Sequence, residues 1–339
     1  MNYQKIFVSA LVAIAGALGV FWYIQNLENA KLKYAGPVEK IRFGVETSIL
    51  PSAVWVAESK GYFLEQGLDV EIKEYDSGKN ALKAMLTDGG LDMVTVAQTP
   101  VMFNSFNRND YAIIGAMVSA SDDVKMLGRQ DKGVKTVLDL KGKKIGITKG
   151  STGHFFLGLV LSDNGLKIAD IEAVDFRATE LAQALADGKV DAISSWEPHI
   201  ANAKKLLGAN AVIFSTKGIF REDFYFVAMK NFITAHPKTL ERFLKAIEKG
   251  ELFIQQNKEE SIDIIAKRIS ADKDTVAQFW DTFEFKQFLD QSILTVLEDE
   301  ARWAIDNNLT ETKKQPNYLD YIYVDALKAV KPEVVTVIK

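Results

Sequence analysis

The stretch KKIGITKGSTGHFFLGLVL, residues 143–161, decides the fold of this chain. A short apolar run, KKIGI, gives way to a turn with two glycines and three small hydroxyl residues. A longer apolar run follows, which reads as a buried helix. Strand, glycine turn and helix in that order form half of a βαβ unit, the building block of parallel sheets covered on both faces. The turn lacks the GxxxxGK[ST] spacing of a nucleotide cradle, and Gly150-Ser151-Thr152-Gly153 lacks the GxSxG spacing of a nucleophile elbow. Free N–H groups and the positive end of the helix dipole would hold an anion there, with the Ser151 and Thr152 hydroxyls as further donors. The same residues also serve as an ordinary helix cap, with Ser151 or Thr152 capping, and the local sequence alone favours the cap while leaving the anion reading open.

The cadence repeats on either side. IRFGVE and DVEIKEY read as strands, the segment after Pro51 as a helix with proline in its first position, GKNALKAMLTDGG as a helix stopped by glycines, and LDMVTVA as a third strand followed by a helix from Thr99. After residue 128 the alternation restarts, through KKIGI, IEAVDF and VDAISS with helices between them. A second lobe over residues 129–222 is therefore expected beside a first lobe over 41–128. From DFYFVAMK onward the pattern turns helical, with apolar stripes at Leu240, Phe243, Leu244 and Ile247 and again at Leu294, Leu297, Ala301 and Ala304. Residues 223–339 thus read as a return to the first lobe.

Composition narrows the chemistry. The 339 residues carry 41 Lys and Arg against 45 Asp and Glu, a net charge of -4 that gives no field for nucleic acid. No cysteine is present, which removes disulfides, thiolate metal sites and cysteine nucleophiles. His154, His199 and His236 stand in no metal-binding spacing, so no metal site is expected.

Residues 6–24 are uncharged and end in Phe21, Trp22 and Tyr23, as a membrane-inserted segment does. Residues 1–30 accordingly read as a transmembrane signal anchor or a signal peptide, and 31–40 as a linker. Lys31, Lys33, Lys40 and Arg42 outnumber Lys5 across the apolar run, so charge alone would keep the body cytoplasmic.

Ligands of open α/β sheets sit outside the carboxyl ends of the strands. Those ends offer Thr47 and Ser48, Gln98 and Thr99, the Gly150–Gly153 turn with His154, and Ser194 to Glu197 with Trp196 as a candidate aromatic wall. Glu197 either caps a helix or meets a cationic group on a solute. Arg177 is placed to meet an anionic one.

Five segments in order, WVAESKGYFLEQGLDVEI, GKNALKAMLTDGGLDM, LDLKGKKIGITKGST, ELAQALADGKVDAISSWEP and HPKTLERFLKAI, make residues 41–335 resemble the periplasmic solute-binding proteins for aliphatic sulfonates, taurine and nitrate, with the related thiamine-pyrimidine proteins. The resemblance implies a type II periplasmic-binding-protein fold: two α/β lobes with mostly parallel sheets, joined by a two-crossing hinge. It further implies an extracytoplasmic binding protein, not an enzyme and with no cofactor. Such a protein closes on a small anionic or zwitterionic solute and hands it to an ABC permease in the inner membrane. The pocket positions that carry over are Thr47, Ser48, Leu50, Gln98, Thr99, Ser151, Thr152, His154, Trp196 and Glu197.

Two alternatives accompany this reading. The related pyrimidine synthases need a lysine and a histidine where this chain has Val96 and Pro100, and a cysteine-rich loop it lacks. A membrane-tethered sensor or partner-binding module would use the same closure to dock on another protein.

Overall fold

The computed structural model describes residues 34–88, 90–214 and 218–338. The apolar segment 6–24 and its expected membrane helix lie outside them. Among the described residues no helix is long and apolar enough to cross a membrane.

The first unit runs β1 (Glu39–Glu46), α1 (Ser52–Ser59), α2 (Tyr62–Glu65), β2 (Leu68–Tyr75), α3 (Gly78–Asp88), β3 (Met93–Ala97), α4 (Gln98–Ser105) and β4 (Tyr111–Ala120). Pro51 caps α1 from outside and is not its first helical residue. The second unit runs β5 (Lys125–Arg129), β6 (Lys144–Ile147), α5 (Thr152–Asp163), β7 (Glu172–Asp175), α6 (Ala178–Ala186), β8 (Ala192–Ser195), α7 (His199–Leu207) and β9 (Ala211–Phe214). The chain then gives β10 (Glu222–Met229), α8 (Lys230–Ala235), α9 (Pro237–Gln256), α10 (Lys258–Arg268), α11 (Lys273–Phe279), β11 (Phe283–Phe288), α12 (Gln291–Asp306) and α13 (Asp325–Val330).

Two sheets result, in the orders β11-β4-β10-β3-β1-β2 and β7-β6-β8-β5-β9. They are mixed and not mostly parallel. β1 lies parallel to β2 and β3, and β6 parallel to β7 and β8, but β10 runs antiparallel to β3 and β4, and β5 antiparallel to β8 and β9. The cause is the double crossing. A strand arriving from the other lobe enters at the end where its neighbours leave, so β5 and β10 must run against them.

The crossings fall at 121–124 and between Phe214 and Glu222. The first is earlier than the boundary at 128, because β5 already belongs to the second sheet. Its sequence, KMLGR, hides a strand behind two cations and a glycine. Gly128 is required there, since a β-carbon would press on the Val134 side chain at 2.5 Å.

Burial explains the strand chemistry. β3, MVTVA, is covered on both faces and is uniformly buried, whereas edge strand β2 alternates. The stripe on α9 packs Phe243 edge-on to Phe43 and Phe226, with ring centroids 5.3 and 5.1 Å apart, and stacks it on Phe63 at 5.5 Å. The largely apolar α5 sits inside the second lobe, its Phe156, Leu157, Val160 and Leu161 buried. Helix α12 of the first lobe reaches across, setting the Trp303 indole edge-on to His154 and Phe155 of α5 at 5.3 and 5.1 Å.

Candidate functional site

The strands β1, β3, β6 and β8 all end at the seam between the lobes. The seam holds a cavity of ≈ 20 Å³, room for one water-sized group. From the first lobe Glu46, Gly78, Lys79 and Pro100 line it. Ser151, Thr152 and Trp196 come from the second, and Glu222 from the return crossing.

Glu46 ends β1. Its Oε2 accepts the N–H of Gly78, the first residue of α3, at 2.6 Å, and the Trp196 indole reaches the same carboxyl from the other lobe. Gly78 has to be glycine for this approach, since a β-carbon would lie 2.8 Å from the Val96 backbone. Burial pushes the Glu46 carboxyl up to about 7, against the pull of the Gly78 hydrogen bond.

Glu222 opens β10 with Asp123 of the outgoing crossing and the Thr152 hydroxyl as its neighbours. Burial raises its carboxyl to about 8. Asp123 is raised well above the usual range, by burial first and then by the charges of Glu222 and Glu197. Lys79, lining the same cavity, turns its Nζ to the Lys149 carbonyl across the seam.

The glycine turn is built by β6. Gly150 takes φ 73°, the left-handed conformation that glycine supplies without strain. The Ser151 hydroxyl donates to the Thr148 carbonyl at 2.7 Å, so it serves the turn itself. Nδ1 of His154 accepts the Gly150 N–H at 3.2 Å, and burial pushes this imidazole down to about 4, so it is neutral.

The structure brings Ser151, Thr152 and Trp196 together on the cavity and distributes the other expected residues around it. The Thr47 hydroxyl donates to Glu74 at 3.2 Å. Ser48 is buried beside Glu46, and Leu50 packs into the first core. Gln98 donates to the Arg221 carbonyl at 3.1 Å and accepts the Asp223 N–H at 2.8 Å, which pins the return crossing. The Thr99 hydroxyl donates to Glu300 at 3.0 Å. Glu197 accepts Lys125 Nζ at 3.3 Å and the Ala201 N–H at 2.9 Å, and so does cap α7 while meeting a cation of its own lobe. Arg177 meets the chain's own Asp76.

Residues 52–261 match the family described as NMT1/THI5 like. The chain belongs to this family. A Bacillus subtilis relative named for binding aliphatic sulfonates is 30% identical over 244 residues, which cover 70% of this chain and 72% of that one. An Escherichia coli protein of the same name is 24% identical over 74% of this chain and 82% of its own. Among solved structures, the alkanesulfonate-binding protein SsuA from Xanthomonas axonopodis pv. citri, bound to MOPS, superimposes with a TM-score of 0.74. That match has 20% identity and covers 85% of this chain and 99% of the other. The likeness gives this NMT1/THI5-like chain the α/β periplasmic-binding-protein fold.

Sequence reasoning missed the carboxyls Glu46, Asp123 and Glu222. The first had a visible signal, an acidic residue closing an apolar strand, IRFGVE, at the sheet's ligand-binding end.

Proposed function

We propose that this chain is the solute-binding component of an ABC importer. It works in the periplasm, closes its two lobes on a small zwitterionic or anionic solute, and presents the closed form to an inner-membrane permease. Residues 6–24 tether it to that membrane. One observation carries the reading: residues of both lobes and of the return crossing between them line one cavity at the strand ends, as closure over a solute requires. The relatives named for sulfonates, and the MOPS-bound structure, support a sulfonate, taurine or nitrate-like solute.

The reading is of a binder and not an enzyme. The Ser151 hydroxyl is committed to a carbonyl and His154 Nδ1 to a backbone N–H, so these two do not pair as nucleophile and base. Thermal shift of the purified chain against sulfonates, taurine, nitrate, carboxylates and amines is expected to show one stabilising class. Deletion of the gene is expected to abolish uptake of that class. A chain stabilised by no small solute, with uptake unchanged on deletion, would overturn the reading.

A further inference from the structure

Three carboxyls from three separated segments meet at the floor of the seam: Glu46 from the end of β1, Asp123 from the outgoing crossing and Glu222 from the return. They are 4, 3 and 3% exposed. Buried carboxyls ordinarily face a cation or a full set of donors. Here, among the described residues, Asp123 Oδ2 and Glu222 Oε2 are buried with no hydrogen-bond donor, and Glu222 faces the cavity. The hydroxyls of Ser48 and Ser195 are likewise buried without a partner.

The nearby cations are engaged elsewhere. Lys125 Nζ lies 3.3 Å from Glu197 and bonds the Asp122 carbonyl, and Lys79 bonds the Lys149 carbonyl. Several of the donors that an external anion would need are also taken. The first N–H of α3 goes to Glu46, the Ser151 hydroxyl to Thr148, and the Thr152 hydroxyl lies against Glu222. The seam therefore gathers three buried carboxyls, two of them with an unpartnered oxygen, while the nearby lysines bond carbonyls. A sulfonate or nitrate placed there would add negative charge to an acidic floor.

We infer that the cleft seats its solute through a cationic, N–H-bearing group, an alkylammonium or amidinium, held by the carboxylates of Glu46 and Glu222. The inference rests on the solute-binding reading and decides, within it, for a zwitterion or cation over a simple anion. The ≈ 20 Å³ cavity admits an ammonium-sized head. The rest of the solute occupies space gained as the lobes part. Without the solute, protons take the cation's place: Asp123 and Glu222 face each other, and a shared proton is the internal remedy for their two unpaired oxygens.

Seating the cation then expels protons, so affinity rises with pH. The groups facing these carboxyls fit that sign. Asp123, Glu197 and Glu300 add negative charge, Lys125 offsets part of it from beside Asp123, and Lys79 sits at the rim. His154, one turn into α5, is neutral.

Calorimetric titration of the full-length chain in detergent micelles tests the inference, with butylammonium, benzamidinium and taurine set against butanesulfonate and nitrate. The cationic probes are expected to bind, about tenfold tighter near pH 8 than near pH 6. Their heat should change with the ionisation enthalpy of the buffer, and E46Q and E222Q should each weaken them about tenfold or more. Buffer-dependent heat on the wild-type chain reads proton release even if a variant fails to fold. Tighter binding of butanesulfonate than of butylammonium, indifferent to E46Q, overturns the inference and leaves the solute-binding reading intact. Binding of no probe of either sign, with uptake unaffected by gene deletion, overturns both.

Discussion

The carboxylate of Asp76, just past β2, accepts two hydrogen bonds from the guanidinium of Arg177 on the second lobe, at 2.8 and 3.2 Å. This pair links the two lobes, and with Lys79 on the Lys149 carbonyl it acts as a clasp between them. The Arg177 side chain is 67% exposed, so solvent screens the pair and its share in global stability is small. Its share in the open-closed balance is the larger effect, because opening breaks it outright. Arg177→Ala is expected to leave the thermal midpoint nearly unchanged while widening the distance distribution between labels placed on the two lobes. An unchanged distribution would remove the clasp from the account.

Closure also depends on a missing side chain. Gly158 on α5 lies so close to Trp303 of α12 that a β-carbon would collide with the indole, which belongs to the other lobe. Gly153, five residues earlier, meets instead the Ser194 carbonyl of its own lobe, where a β-carbon would sit at 2.7 Å. The two alanine substitutions should therefore fail differently. Gly158→Ala is expected to wedge the lobes apart and weaken solute binding with little loss of stability. Gly153→Ala is expected to destabilise the second lobe by about 1–3 kcal/mol in urea unfolding. Equal stability losses in both variants would contradict this assignment.

These glycines show which parts of the fold could be read from the chain. The alternation around KKIGI and the stripe at Leu240, Phe243, Leu244 and Ile247 depend on local periodicity, and they stand as β6, α5 and a buried face of α9. β5 was invisible because KMLGR has no periodicity, and with it went the position of the first crossing. The parallel expectation failed for a topological reason: only the path of the chain between lobes sets the direction of β5 and β10. The site was legible in Ser151, Thr152 and Trp196, which sit on strand-end loops. Asp123 and Glu222 lie 99 positions apart by residue number, and each reads alone as a solvated loop acid. Their burial is a product of the two crossings coming together.

Gln98 illustrates a polar strand-end residue whose work is structural. Its amide bonds both Arg221 and Asp223 of the return crossing, and it is fully buried. Gln98→Ala would strand a buried N–H and a carbonyl, at about 1–3 kcal/mol each where water cannot reach. The expected result is lower stability together with faster amide exchange around residues 221–223. Exchange there at the wild-type rate, with solute affinity lost, would show instead that Gln98 acts on the solute.

The buried carboxyls give stability a definite pH signature. Glu46 and Glu222 are raised to about 7 and about 8, above the ordinary value of 4.5 that the unfolded chain restores. Below about pH 4.5 both states hold these protons and the contribution is fully present. As pH rises toward 7 and 8 the unfolded chain ionises first. The folded chain then binds more protons than the unfolded one, and stability falls. His154 and His199, pushed down to about 4 by burial, act in the opposite sense: their contribution is present above about pH 6.5 and lost as pH drops toward 4. Between about pH 6.5 and 8 the histidines of the unfolded chain give up their remaining protons and their contribution to the slope fades, while the carboxyls, with Asp123 adding to them, set the slope. The thermal midpoint of the wild-type chain is expected to fall across that interval at constant ionic strength. The E46Q/E222Q double variant should be flatter, since an amide carries no titrating proton. A midpoint that rises from 6.5 to 8, or a slope identical in the double variant, would mean that these carboxyls are ionised in the folded protein and already matched by a cation.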